Sequence, residues 1–367
     1  MKIAFDYQIF SQQSYGGISR YYNTLASNLS RLDQDISIFA GIHRNKYLSS
    51  LPKSLVRGYE LPKYPLRSTK LFLLANHYLT NYQINQWSPD LIHETYYSIF
   101  KPTFNHLPRI VTAYDMVHEL FPRQFKKKEL ITQRKKSSFD RADHIISISH
   151  NTKKDLIDFF DIPPEKITVV HLACDVFDQT KFNTINSNSR KPFLLYVGSR
   201  GGYKNFNSLL EAVSQSKRLI NNFDIVAFGG GSISLNEAKL IHSLGFKKNQ
   251  VKQMGGHDEV LASLYQNAAA FVYPSLYEGF GMSPLEAMAY KCPVISSNTS
   301  SLPEVVGEAG EYFNPEKIES IKLSIENVVY SPTRILDLKE KGLERINNFS
   351  WQKCAQNTLK VYETLVT

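Results

Sequence analysis

Short apolar runs rich in β-branched and aromatic residues recur from end to end, with helical stretches between them. In order they read KIAFDY, ISIFAG, DLIHE, RIVTAYD, HIISIS and ITVVHL, then PFLLYVG, FDIVAFG, AAFVYP and PVISS. Strands that alternate with helices build parallel sheets of βαβ units. Between ITVVHL and PFLLYVG lies ACDVFDQTKFNTINSNSRK, polar, rich in Asn and Ser and without an apolar period, which reads as an interdomain linker near residues 174–190. The expected architecture is therefore α/β, with two doubly wound, Rossmann-like parallel-sheet domains facing one another across a cleft.

Length agrees, since 367 residues exceed one ordinary core. No apolar run is long enough to span a membrane, and MKIAFDYQIF lacks the charged, apolar and small-residue succession of a signal peptide, so a cytoplasmic address is expected. Cys174, Cys292 and Cys354 are too far apart for a disulfide framework or a metal-ligand spacing and read as buried or incidental thiols. The net charge of +9 is uneven: residues 1–183 hold 24 Lys and Arg against 17 Asp and Glu. Much of the excess sits in RQFKKKELITQRKK, where Arg123, Lys126, Lys127, Lys128, Arg134, Lys135 and Lys136 face one acid, Glu129. Such a cluster suits anionic lipid or a phosphorylated substrate, or a solvated helix face. Aromatic residues do not interleave with it as single-strand binding would need, so no nucleic-acid partner is expected.

In open α/β sheets ligands bind beyond the carboxyl ends of strands, and four loops there stand out. The first holds Gly16-Gly17 before a helical stretch, which lets backbone amides approach an anion. In the second, SRGGYKNFNSLLEA, Arg200 and Lys204 flank two glycines and could reach one diphosphate. The third is Gly229-Gly230-Gly231-Ser232, open to close approach by a ligand or by a neighbouring helix. The fourth is YEGFGMSPLEA. There Ser283, Pro284 and Glu286 have the spacing of a capping box, whereas Glu278 lies before the cap beside Gly279 and Gly281 with no such structural role. Ser301-Leu302-Pro303-Glu304 repeats the capping spacing and reads as a helix start.

These segments together resemble the retaining glycosyltransferases of family 4, of the GT-B fold. The likeness runs through GGISRYY, DRADHIISIS, KITVVHLACD, VGSRGGYKNFNSLLEA, PSLYEGFGMSPLEAMAYKCPVISS, SLPEVVGEAGEYFNP and FSWQKCAQNTLKVYE, with Glu278 and Glu286 in the E-x7-E signature. It implies an acceptor-binding domain over 1–180, a nucleotide-sugar domain over 181–348, and a helix over 349–367 that crosses back onto the first domain through Trp351, Cys354, Leu359, Tyr362 and Leu365. Glu278 would meet the donor sugar and Glu286 the ribose. Lys204 and Arg200 would neutralise the diphosphate, and Phe280, Gly281, Met282 and Ser283, with Gly16 and Gly17 from the first domain, would contact sugar and phosphates. No cofactor or divalent metal is implied, and Asp33-Gln34-Asp35 reads as a turn.

The resemblance implies transfer of a hexose with retention. The expected donor is GDP-mannose or a GDP-deoxyhexose, with UDP-sugars next. A glycan or polyprenyl-diphosphate-linked glycan would accept it at the inner face of the cytoplasmic membrane, with residues 123–136 touching anionic lipid. Where the family commonly has a histidine before aspartate, this chain has Tyr114-Asp115, and a tyrosine is a poor proton acceptor near neutral pH. His93 and His118 are the nearby imidazoles, and all four are candidate acceptor or sugar contacts. A non-catalytic sugar-nucleotide or glycan-binding subunit and a nucleotide-sugar epimerase are the alternatives.

Overall fold

The computed structural model describes residues 1–100, 106–126, 128–174 and 191–366. Residues 175–190 of the expected linker, and with them the expected boundary at 180/181, lie outside the described residues. The chain divides into two compact units, Met1–Leu172 with Trp351–Thr367, and Ala173–Ser350.

The first unit is built on β1 (Lys2–Phe5), β2 (Asp35–His43), β3 (Val56–Glu60), β4 (Leu91–Glu94), β5 (Arg109–Ala113), β6 (His144–Ser147) and β7 (Ile167–Val169), paired in the order β3-β2-β1-β4-β5-β6-β7. The second is built on β8 (Phe193–Val197), β9 (Asp224–Phe228), β10 (Val251–Met254), β11 (Ala270–Tyr273), β12 (Val294–Ser297) and β13 (Gly310–Phe313), in the order β10-β9-β8-β11-β12-β13. Every pairing is parallel.

All ten apolar runs form strands, and three further strands escape the pattern. These are β3, β10 and β13, with sequences VRGYE, VKQM and GEYF. Each is a sheet edge. An edge strand pairs on one side and is covered less completely, so it needs no continuous apolar run.

In both sheets the strand order reverses beside the first strand, between β1 and β4 and again between β8 and β11. Connections depart to opposite sides at such a point, which opens a crevice beyond the carboxyl ends of the two strands. The pair Asp33 and Asp35 is at the other end, in the turn that enters β2.

The C-terminal helix Trp351–Val366 belongs to the first unit and buries Cys354, Ala355, Thr358, Val361 and Tyr362. Trp351, Leu359 and Leu365 of the expected face are only half-buried. The Tyr362 hydroxyl lies 2.6 Å from His93 Nδ1 on β4, and the Trp351 ring packs on Tyr21 at 6.1 Å.

Candidate active site

At the reversal point of the second sheet, Lys204 follows β8 and Glu278 follows β11. Lys204 Nζ and Glu278 Oε1 are 2.6 Å apart, although 74 residues separate them in the chain. The two side chains are only 16% and 13% exposed, so each charge is held chiefly by the other. Lys204 Nζ also lies 5.3 Å from the Tyr203 ring centroid and 5.7 Å from that of Tyr273. Burial, with the Glu278 charge beside it, pushes the Tyr273 hydroxyl well above its ordinary range and keeps it protonated. A cation and a carboxylate so placed can part to receive a ligand that carries both an anion and hydroxyl donors.

The loop that carries the carboxylate is held by a run of hydroxyl side chains from the end of β12 onward. Ser297 Oγ donates to the carbonyls of Tyr273 (3.1 Å) and Ser275 (2.5 Å), and Thr299 Oγ1 to that of Leu276 (3.0 Å). Ser301 Oγ donates to Glu278 O (2.8 Å) and Phe280 O (2.7 Å), and the Glu278 N–H donates to Ser300 Oγ (2.9 Å). The helix Leu302–Val306 does start where the SLPE spacing predicts, but Ser301 makes no side-chain capping bond. Its hydroxyl serves the Glu278 loop instead, and the run SSNTSS was the sequence signal for it.

The expected capping box at Ser283 does not form. The helix Met282–Ala289 begins two residues earlier than a Ser283 cap requires, on Gly281 at φ 116°, without a side-chain cap bond. A left-handed residue turns the chain sooner, and a Cβ there would approach Leu302 Cδ2 to 2.9 Å. Glu286 is therefore not the third residue of a Ser283 capping box; its Oε2 accepts from the Tyr265 hydroxyl at 3.3 Å. Met282 and Ser283 occupy the first turn, where amides have no preceding intrahelical acceptor. Phe280 turns its buried ring onto Phe349, 5.8 Å between centroids, and so offers only backbone to a ligand.

Arg200 departs from the expectation of a cation open to a diphosphate. It is 7% exposed, and its Nε donates to Glu237 Oε1 (2.7 Å), Nη1 to Gly229 O (2.9 Å), and Nη2 to Gly231 O (2.9 Å) and Ser232 O (3.0 Å). Gly229, Gly230 and Gly231 all have positive φ, and a Cβ at Gly230 would lie 3.0 Å from Arg200 Nη1. The close approach that the triple glycine permits is thus used by the protein itself. Burial opposes ionisation of Glu237, but the guanidinium and the Ser234 amide hold its carboxyl down to about 2. Arg200→Ala is expected to destabilise the second unit by about 2–4 kcal/mol while lowering transfer less than roughly tenfold at a temperature where the variant is folded. Urea titration paired with steady-state kinetics checks this; a loss beyond a hundredfold at unchanged stability would return Arg200 to the ligand.

In the first unit the structure divides the four candidate contacts. His93 is fully buried, its Nε2 2.8 Å from Thr112 Oγ1 and 3.3 Å from the Tyr22 hydroxyl, and burial lowers its pKa to about 3. Tyr114 is also buried, its ring edge-on to Tyr21 at 6.1 Å. Both are withdrawn from the contact set, because the sheet's inner layer encloses them. Asp115 and His118 remain partly accessible: Asp115 Oδ1 accepts from Val117 N–H at 3.2 Å, and His118 packs on Phe125 at 4.3 Å. Gly16 makes room for the Gln13 carboxamide, whose Oε1 accepts from Ser19 N–H at 3.2 Å, while the space beside Gly17 is open.

A cavity of about 290 Å³ lies at the reversal point of this sheet, a feature that no motif announced. Tyr7 and Gln8 after β1 and Tyr97, Ser98, Ile99 and Phe100 after β4 line it, with Leu73 and Leu130 and two cations, Lys70 and Arg134.

The basic segment is weaker than its composition. Lys135 is 2% exposed, with Nζ donating to Glu119 Oε2 and Asp115 O, both at 2.7 Å. Lys136 lies 3.6 Å from Asp140 and Lys128 3.8 Å from Glu129. The helix Lys128–Arg141 turns Lys135 inward and meets acids that the linear count placed elsewhere. Lys127 lies outside the described residues; Arg123, Lys126 and Lys136 are exposed and Arg134 is half-buried.

Two family profiles divide the chain as the two sheets do. One described as Glycosyltransferase Family 4 matches residues 15–176, and one described as Glycosyl transferases group 1 matches residues 177–345. The O-antigen chain mannosyltransferase B of Escherichia coli is 28% identical over 275 residues, covering 71% of this chain and 72% of its own. A serotype-specific mannosyltransferase WbdA of the same organism is 28% identical over 268 residues; that match covers 68% of this chain but only 33% of the relative. Among solved structures, WaaG, a glycosyltransferase involved in lipopolysaccharide biosynthesis, superposes with a TM-score of 0.71 at 16% identity over 99% of each chain. Anabaena HepE in complex with UDP and glucose does so with 0.73 at 14% over 99% of each. With two parallel-sheet units, the C-terminal helix returned to the first, and both profiles matched in tandem, the chain belongs to the family 4 glycosyltransferases of the GT-B fold.

Proposed function

We propose that the protein transfers a hexose from a nucleotide diphosphate sugar to a glycan or lipid-linked glycan in bacterial surface polysaccharide synthesis, with retention and without a metal. The observation that carries this reading is the Lys204–Glu278 pair at the reversal point of the second sheet. On donor binding Lys204 would turn to the diphosphate and Glu278 to the sugar hydroxyls, with Glu286 on the ribose and the Met282–Ser283 amides near the phosphates. Gly16 and Gly17 keep the diphosphate role that the family likeness gives them. The C1–O bond to the diphosphate breaks while the C1–O bond to the acceptor forms on the same face. The acceptor proton passes to the departing diphosphate oxygen. Lys204 offsets the charge that develops there, the work a divalent ion would otherwise do.

The cavity at the first sheet's reversal point suits an acceptor with an apolar portion and an anionic group, since it joins aromatic and aliphatic walls to Lys70 and Arg134. Likeness to the O-antigen mannosyltransferase supports mannose as the sugar moved, and GDP-mannose is the donor proposed. A thermal-shift panel of GDP-, UDP-, ADP- and dTDP-sugars tests the donor: a ligand at a hundred times its Kd adds about 2.7 kcal/mol to stability. GDP-mannose is expected to give the largest rise and to release GDP when acceptor is added. A rise with UDP-sugars alone would overturn the donor, and no rise with any of them would overturn the transferase reading of this site.

A further inference from the structure

The helix Thr69–Trp87 buries polar side chains and exposes large apolar ones. Its inward face carries Asn76, Thr80 and Asn81, which are 0%, 3% and 6% exposed, beside the buried Ile84, while Leu71, Tyr78 and Tyr82 face out at 67%, 65% and 63%. The polar interior has a structural cause. Strand β2 slips register against β3 between Phe39 and Gly41, which leaves Ala40 unpaired, and Ile42, still paired with Tyr59, lies past the end of β1, which pairs β2 only as far as Ile38. Asn76 meets Ile42 with both ends of its amide: Oδ1 accepts from Ile42 N–H and Nδ2 donates to Ile42 O, each at 2.8 Å. Thr80 Oγ1 donates to Phe39 O at 3.2 Å.

No such cause exists for the apolar exterior. Of the sixteen large apolar side chains exposed among the described residues, six fall here: Leu66, Leu71, Leu74, Tyr78, Leu79 and Tyr82. The charge pattern says what covers them. Residues 61–89 contain no Asp or Glu, whereas Lys63, Arg67 and Lys70 are exposed at the helix start. Apolar side chains with tyrosines, on a stretch whose only charges are cations, match the boundary between headgroups and acyl chains of an anionic bilayer. No helix among the described residues is long and apolar enough to cross a membrane, so this one would lie in the surface.

We propose that the protein docks on anionic lipid through the outward face of helix Thr69–Trp87 and the cationic turn before it, and not through residues 123–136. The cavity shares Lys70 and Leu73 with this helix, so the proposed acceptor pocket adjoins the lipid-facing surface.

Flotation of the full chain with vesicles of phosphatidylcholine and phosphatidylglycerol, without any nucleotide sugar, tests this independently of sugar transfer. The wild type is expected to float with these vesicles and weakly with phosphatidylcholine alone. Leu71→Glu with Tyr78→Glu should lower binding roughly tenfold or more. Leu74→Ser with Tyr82→Gln, which removes apolar surface without adding charge, should act in the same direction and stands in if the glutamates prevent folding. Arg123→Gln with Lys126→Gln should float nearly as the wild type does. The proposal is overturned if the wild type does not float, if the helix variants float unchanged, or if the Arg123 and Lys126 variant alone loses binding. A wild-type dimer that Leu71→Glu dissolves, with no vesicle binding, would assign the face to a second copy and also overturn it.

Discussion

Glu278→Gln is expected to lower turnover roughly a hundredfold or more, the effect of removing one preorganised partner of the transition state. The substitution keeps the shape and an acceptor oxygen for Lys204 and removes only the charge. The Ser300 and Ser301 bonds go to the backbone of Glu278 and Phe280, so the loop keeps its path. The stability change should accordingly be about 1 kcal/mol, that of an ion pair weakened but still hydrogen-bonded. Steady-state transfer beside a urea titration separates the two quantities. A variant with at least a tenth of wild-type turnover would remove Glu278 from the chemistry and leave it as a salt-bridge partner.

Lys204→Ala should cost as much turnover and considerably more stability. Truncation leaves the Glu278 carboxylate only 13% exposed with its cation gone, and a mostly buried charge stripped of its partner costs about 3 kcal/mol. The double variant Lys204→Ala, Glu278→Gln should recover about half of that stability, since no charge is then left unpaired. Turnover should not recover, because neither the leaving diphosphate nor the sugar regains its partner. Recovery of both would mean that the pair only supports the loop. Full activity of the single Lys204 variant would sink the assignment outright.

How far the sequence leads depends on what each residue meets. Strands in the body of each sheet are covered on both faces, so their apolar runs were readable; of the four edges β3, β7, β10 and β13, only β7 left a run to read. Lys204 and Glu278 were each singled out by glycine-flanked positions at strand ends. Their contact was not legible, because the adjacency of β8 and β11 is a property of the sheet. Arg200 looked like Lys204 in the sequence, yet its neighbours Gly229, Gly231, Ser232 and Glu237 come from the next βα unit and turn it inward. Lys135 follows the same logic, since Asp115 and Glu119 reach it only once two helices pack.

By itself the sequence determined the two-sheet α/β plan, the family likeness and the loops where chemistry belongs, because strand burial and glycine placement are local demands written into adjacent residues. The tertiary structure alone decided which cations face ligand space and which are enclosed, that Ser297 to Ser301 hold the Glu278 loop, and that the helix carrying Glu286 starts on Gly281 and not on a Ser283 cap. It also put polar side chains on the inner side of the helix Thr69–Trp87: past the end of β1 the Ile42 N–H and carbonyl are met by Asn76.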